Sequence, residues 1–134
     1  MITPINWRAK ADEVDFGVEN SEAKAVVFED LSEQAVRSSS EAQSRRRIAL
    51  DSALHGEIAF STMVDHKTAP AEPRVSADAW SVMLYTSGTT AKRKGVPRRQ
   101  RAERAAALAH VAQNLYGIGE RTLGVMPLYH TMGV

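Results

Sequence analysis

Apolar and polar positions follow several local rhythms along this chain, and each predicts an element. Val14, Phe16 and Val18 sit among Asp12, Glu13, Asp15 and Glu19. Acidic residues favour the first turn of a helix, so the stretch predicts a helix over 8–22, ended by Asn20-Ser21. Ala25-Val26-Val27-Phe28 is a short apolar run of the kind that forms a buried strand. From Leu31 to about Leu50 helix formers mix with serines at 38–40, and one helix or two stays open. Ile58-Ala59-Phe60 with Met63-Val64 reads as a short amphipathic segment. Pro70 and Pro73, with polar neighbours, make residues 65–79 a connector. Val82 to Tyr85 is a strand pattern. Gln100 to Tyr116 is alanine-rich and helical, with Leu108, Val111, Ala112 and Leu115 on one stripe and Gly117 as the expected C-cap. Arg121 to Met126 reads as a further strand. No internal repeat is visible.

The second half therefore reads strand, loop, helix, strand, an order that predicts a right-handed βαβ unit with parallel strands. The expected class is α/β, a partial parallel sheet with flanking helices. The connector at 65–79 would join a first α/β part to this βαβ unit. Ligands of open α/β sheets sit beyond the carboxyl ends of strands. The loop at 86–95 and the segment at 127–133 both follow expected strands, so both are expected to face one crevice.

The loop carries the clearest chemistry. Tyr85-Thr86-Ser87-Gly88-Thr89-Thr90-Ala91-Lys92-Arg93-Lys94-Gly95-Val96 follows the apolar run that begins at Trp80. Small residues let backbone N–H groups approach an anion, glycine permits a sharp turn, and hydroxyls donate to phosphate oxygens. Lys94 adds a point charge. The order is not that of a Walker A loop, in which lysine follows the second glycine and precedes Ser or Thr.

The stretch resembles the phosphate loop of the adenylate-forming superfamily, the AMP-dependent synthetases and ligases that include acyl-CoA synthetases. The usual form there is Tyr-Thr-Ser-Gly-Thr-Thr-Gly-x-Pro-Lys-Gly-Val. This chain matches from Tyr85 to Thr90 and again at Lys94, Gly95 and Val96. It departs at Ala91, for glycine, and at Arg93, for proline. Where the first position needs a positive φ, alanine costs about 1 kcal/mol. Loss of the proline gives the unbound loop more freedom to lose. The resemblance therefore implies a weaker or more mobile nucleotide grip than the family pattern. It assigns ATP phosphate binding to Thr86, Ser87, Gly88, Thr89, Thr90 and Lys94.

A second motif, Pro127-Leu128-Tyr129-His130-Thr131-Met132-Gly133, resembles the superfamily's Pro-Leu-Phe-His-x-x-Gly. It implies that His130 lies on the carboxylate-substrate side, where an imidazole can change charge or donate a hydrogen bond near neutral pH. Asn6-Trp7-Arg8, Asp12-Glu13-Val14 and Ser21-Glu22-Ala23-Lys24 resemble, less specifically, a stretch inside such synthetases. The resemblance implies ATP and Mg as cofactors, coenzyme A as co-substrate and a small carboxylic acid as substrate. It also implies that residues 1–134 are an internal fragment of the large N-terminal AMP-binding domain. The adenine, magnesium and ribose motifs and the adenylation lysine cannot be located in this chain. Such a piece is expected to be inactive alone and to self-associate through an exposed sheet edge.

Composition adds limits. The 134 residues carry 17 Lys and Arg against 16 Asp and Glu, a formal charge of +1 that gives no overall bias toward nucleic acid. Cysteine is absent, which removes disulfides, thiol catalysis and cysteine metal sites. His55, His66, His110 and His130 lack metal-ligand spacing, so no metal residues are assigned. The N-terminus lacks the apolar core of a signal peptide and no run approaches a membrane span, so a cytoplasmic protein is expected. Arg45-Arg46-Arg47 reads as a solvated face. A competing reading takes the basic run at 92–104 as a phosphate- or nucleic-acid-binding module without sequence preference.

Overall fold

A computed structural model describes residues 1–64, 69, 71–72, 74–86 and 93–130. The chain divides into two compact units, residues 5–72 and residues 1–4 with 73–134.

In the first unit α1 (Ala11–Asn20) starts with acidic residues in its first turn, and the Lys10 N–H donates to the Glu13 carboxylate at 3.0 Å. Ser21 caps its C-terminal end, donating to the Gly17 carbonyl through both its N–H and its hydroxyl. β1 (Ala25–Phe28) follows, as its sequence predicts. The stretch after Leu31 resolves into a 3-10 turn at Asp30–Ser32, α2 (Glu33–Ser38), α3 (Ser40–Gln43) and then β2 (Arg46–Ala49). β3 (Ile58–Ala59) completes a three-stranded sheet ordered β1-β2-β3, parallel throughout. Val26 pairs with Arg47 and Phe28 with Ala49, while Ile48 pairs with Ile58. Val14, Val18, Phe28, Val36, Ala42 and Ala49 form the core, with Ile5, Ala23, Val26 and Ala35 packed against it.

Two polar knots join these elements. Ser39 is fully buried at the start of α3; its hydroxyl donates to Asp15 at 2.6 Å and accepts from the Ala42 N–H at 3.0 Å. Arg37 and Glu57 form the second, linking α2 to the turn before β3. Arg47 joins it at 3.8 Å from Glu57. The solvated face expected at Arg45-Arg46-Arg47 is thus corrected. Arg46 is exposed, but Arg45 pairs with Glu41 at 3.3 Å and the Arg47 side chain is only 12% exposed. Arginine stems pack well in a strand while the guanidinium finds a carboxylate. Gly56 closes the turn with φ +84°, a conformation that strains any residue with a Cβ.

The second unit departs from expectation. β4 (Trp80–Thr86) does not lead into a βαβ crossover. It pairs antiparallel with β5 (Lys94–Arg99), and α4 (Gln100–Asn114) follows β5 directly. The strand at Lys94–Arg99 escapes a sequence reading because only Val96 has strong strand preference and Pro97 argues against one. Pro97 is tolerated for a geometric reason. Its partner Met83 directs its N–H to the Ile2 carbonyl, away from β5, so this is a non-hydrogen-bonded pair and the ring nitrogen of Pro97 faces outward. Met83 and Leu84 are both buried, so β4 is covered on both faces. Ile2 bridges Val82 on the other side of β4.

The parallel strand expected at 121–126 does not form. Both edges of β4 are already taken, by β5 and by Ile2, and Leu123, Val125 and Met126 are exposed. α4 ends at Leu115 in the left-handed conformation (φ 55°) rather than at Gly117. Its apolar stripe stays uncovered, with Leu108, Val111 and Leu115 exposed.

Candidate functional site

The hairpin places the two ends of the sequence motif against each other. Thr86 is the last residue of β4, Lys94 the first of β5, and they are cross-strand partners. Directly paired residues project from the same face, with Cβ atoms about 5 Å apart. The Thr86 hydroxyl and the Lys94 side chain therefore rise from one face, both on exposed residues. One step down, Tyr85 lies opposite Gly95 and is half-buried; burial pushes its phenol pKa above the ordinary 10.0. A neutral phenol beside the site adds no charge to compete with an anion. Ser87, Gly88, Thr89 and Thr90, with Ala91 and Lys92, lie outside the described residues. His130 lies in a separate turn, exposed, its N–H donating to the Pro127 carbonyl at 3.0 Å.

Much of the basic run is engaged at the other end of the hairpin. The Arg99 guanidinium stacks 4.3 Å from the centre of the Trp80 ring, and it donates to the Asp78 carbonyl. The Asp78 carboxylate pairs with Arg101 at 2.8 Å, and Arg98 with Glu103 at 2.5 Å. Sequence reasoning assigned these cations to a helix or a run, because the turn that brings Asp78 and Trp80 beside them depends on the unrecognised strand.

Elsewhere, a depression of about 500 Å³ is lined by Glu19, Glu22, Lys24, Ser44, Arg45 and Arg46. Its charges are mixed, and none belongs to the phosphate-loop or His130 motifs. Among the described residues no group of His, Asp and Glu could hold a metal ion, and no helix is long and apolar enough to cross a membrane.

The sequence matches the family model for AMP-binding enzymes over residues 1–134. The chain belongs to this family. No curated protein matches it. Among solved structures it is similar to apo MatB from Rhodopseudomonas palustris, at TM-score 0.76 and 22% identity over 98% of this chain and 26% of that one. It is also similar to an acyl-CoA synthetase of Brucella canis, at TM-score 0.68 and 23% identity over 89% of this chain and 21% of that one. The inhibitor-bound N-terminal domain of FACL13 from Mycobacterium tuberculosis aligns at TM-score 0.67 and 26% identity over 96% of this chain and 32% of that one. These likenesses carry the α/β fold with its parallel sheet and flanking helices. The AMP-binding chain spans between 20% and 33% of the length of the solved structures it resembles.

Proposed function

We propose that this chain is part of an ATP-dependent ligase that activates a carboxylic acid as an acyl-adenylate and then transfers the acyl group to a thiol, coenzyme A. Family membership and likeness to acyl-CoA synthetases support the reaction class. The observation that carries the site is the pairing of Thr86 with Lys94 at the two ends of a loop of small hydroxyl residues.

In this reading the loop holds the β- and γ-phosphates of ATP. Thr86, Ser87, Thr89 and Thr90 donate hydroxyls, Gly88 admits close approach, and Lys94 neutralises charge that develops on the leaving pyrophosphate. Hydrogen bonds to charged groups contribute roughly 1.5–3 kcal/mol each. His130 serves the carboxylate side. Thr86 and Lys94 fit a phosphate, whereas the described residues contain no ligand set for Mg, so no step is assigned to the metal. Activity by residues 1–134 alone is not expected, and a cytoplasmic location fits the soluble character of such ligases.

The test is hydrogen exchange with ATP or pyrophosphate. Protection of residues 86–95 is expected; unchanged exchange there at saturating ligand removes the reading. Nucleic-acid binding through residues 92–104 is a weaker reading, because Arg98, Arg99 and Arg101 are engaged within the protein. A steep salt-dependent DNA affinity would favour it instead.

A further inference from the structure

The hairpin changes register part-way along. At its base Trp80 pairs with Arg99, but the next pair is Val82 with Arg98, so Ser81 is an extra residue in β4, a β-bulge. From Val82 onward the ladder is regular to Thr86 and Lys94. Had the base register continued, Thr86 would stand opposite Arg93, and Lys94 would project from the other face, since a one-residue slip inverts every side chain. The bulge therefore decides which cation accompanies the Thr86 hydroxyl.

Backbone hydrogen bonding shows what holds the bulge. The Gln100 N–H donates to the Ala79 carbonyl at 2.9 Å, so Ala79 faces β5. By alternation the carbonyl of Ser81 and the N–H of Met83 would face β5 too. Both point the other way. The Ser81 carbonyl accepts from the Ile2 N–H at 2.8 Å, and the Met83 N–H donates to the Ile2 carbonyl at 2.9 Å. Ile2 thus satisfies the two groups that the bulge turns away from β5. Without it they would lack these partners, and the base register would regain them. At the base, the Trp80–Arg99 stack and the ion pair of Asp78 with Arg101 hold the other register in place.

The geometry points to Ile2 and the Ser81 bulge as a positioning device that sets Lys94, rather than Arg93, beside Thr86 in the phosphate-binding hairpin. Its functional consequence rests on the phosphate reading above; its structural content does not. Ile2 acts through its main chain, so the nature of its side chain is secondary.

The experiment uses the 134-residue chain and reads register by NMR from cross-strand Hα–Hα contacts. The parent is expected to show Tyr85 against Gly95. Ile2→Pro, which removes the donor, and deletion of residues 1–3 are expected to add a slipped form with Thr86 against Arg93, a non-hydrogen-bonded pair of the base register, populated to roughly a tenth or more. Ile2→Val keeps the N–H and is expected to behave as the parent. A parent that already shows the slipped contact, or clip-less variants that keep the parent contact alone, would overturn the assignment. A second arm measures pyrophosphate binding by calorimetry, with about tenfold weakening expected in the two clip-less variants and none in Ile2→Val. If the register shifts as expected while the parent fails to bind pyrophosphate, the phosphate reading falls and the register device stands. If the register shifts and affinity is unchanged, the claimed positioning role falls.

Discussion

Arg37 grips both carboxylate oxygens of Glu57, Nε to one and an Nη to the other, each at 3.1 Å. The same guanidinium donates to the Ser52 carbonyl at 3.0 Å and stands 5.6 Å from the centre of the Phe28 ring. One side chain on α2 therefore ties down the turn that feeds β3 and rests on the end of β1. Bidentate geometry of this kind is the strong form of an ion pair.

The grip predicts acid sensitivity. The Arg37 hydrogen bonds, foremost, hold the Glu57 carboxyl below its ordinary 4.5, and the Ser39 hydroxyl, with the Glu41 N–H, holds Asp15 below 3.8. A carboxyl with a depressed folded pKa stabilises fully above its unfolded value and loses that contribution as pH falls through the folded one. Denaturant midpoints should be level from neutral pH down to about pH 5 and fall below it. Glu57→Gln should lower the midpoint at pH 7 and flatten the acid limb. A limb as steep as the parent's would show that the linkage lies elsewhere.

Ser39→Ala should destabilise the unit formed by residues 5–72 by about 1–2 kcal/mol, the usual loss of a helix N-cap. The site is fully buried, so water cannot readily replace the hydroxyl that links Asp15 to α3. Ser39→Thr keeps the hydroxyl but must fit a methyl group. Urea unfolding of the two variants separates lost hydrogen bonding from crowding.

The loop departures can be reversed. Ala91→Gly with Arg93→Pro should tighten ATP binding by the intact enzyme, since glycine accepts any backbone conformation that phosphate binding requires at position 91 and proline narrows the unbound ensemble. Calorimetry checks this, and unchanged affinity would show that the departures carry no penalty.

The uncovered face of α4 should be adhesive. Leu108, Val111 and Leu115 line one stripe and all are exposed. The chain is expected to bind a hydrophobic dye and to show concentration-dependent sedimentation. Leu108→Glu with Val111→Lys should reduce both while circular dichroism keeps its helical signal. Retention of dye binding would place the apolar surface elsewhere.

Elements with a strong local signature were legible in the sequence. β1 is a run of four apolar residues and α4 is rich in alanine. What escaped depends on partners distant in the chain. β2 is half arginine, and it becomes a strand because β1 and β3 flank it. β5 carries a lysine, a proline and two arginines, and it exists because β4 offers a ladder. The phosphate motif was visible as residue types in order. The pairing of Thr86 with Lys94 was not, because register depends on a bulge and on backbone bonds to a residue eighty positions away in sequence. The short pairing of Ile2 has no periodicity to betray it.

Pro97 bears on how copies of this molecule meet. Its nitrogen occupies an outward slot on β5, where an incoming chain would look for a hydrogen to accept, and it has none to offer. Sheet growth by edge-to-edge addition is blocked at that rung. Association through this strand is therefore disfavoured, which leaves the apolar stripe of α4 as the stickier surface of the second unit.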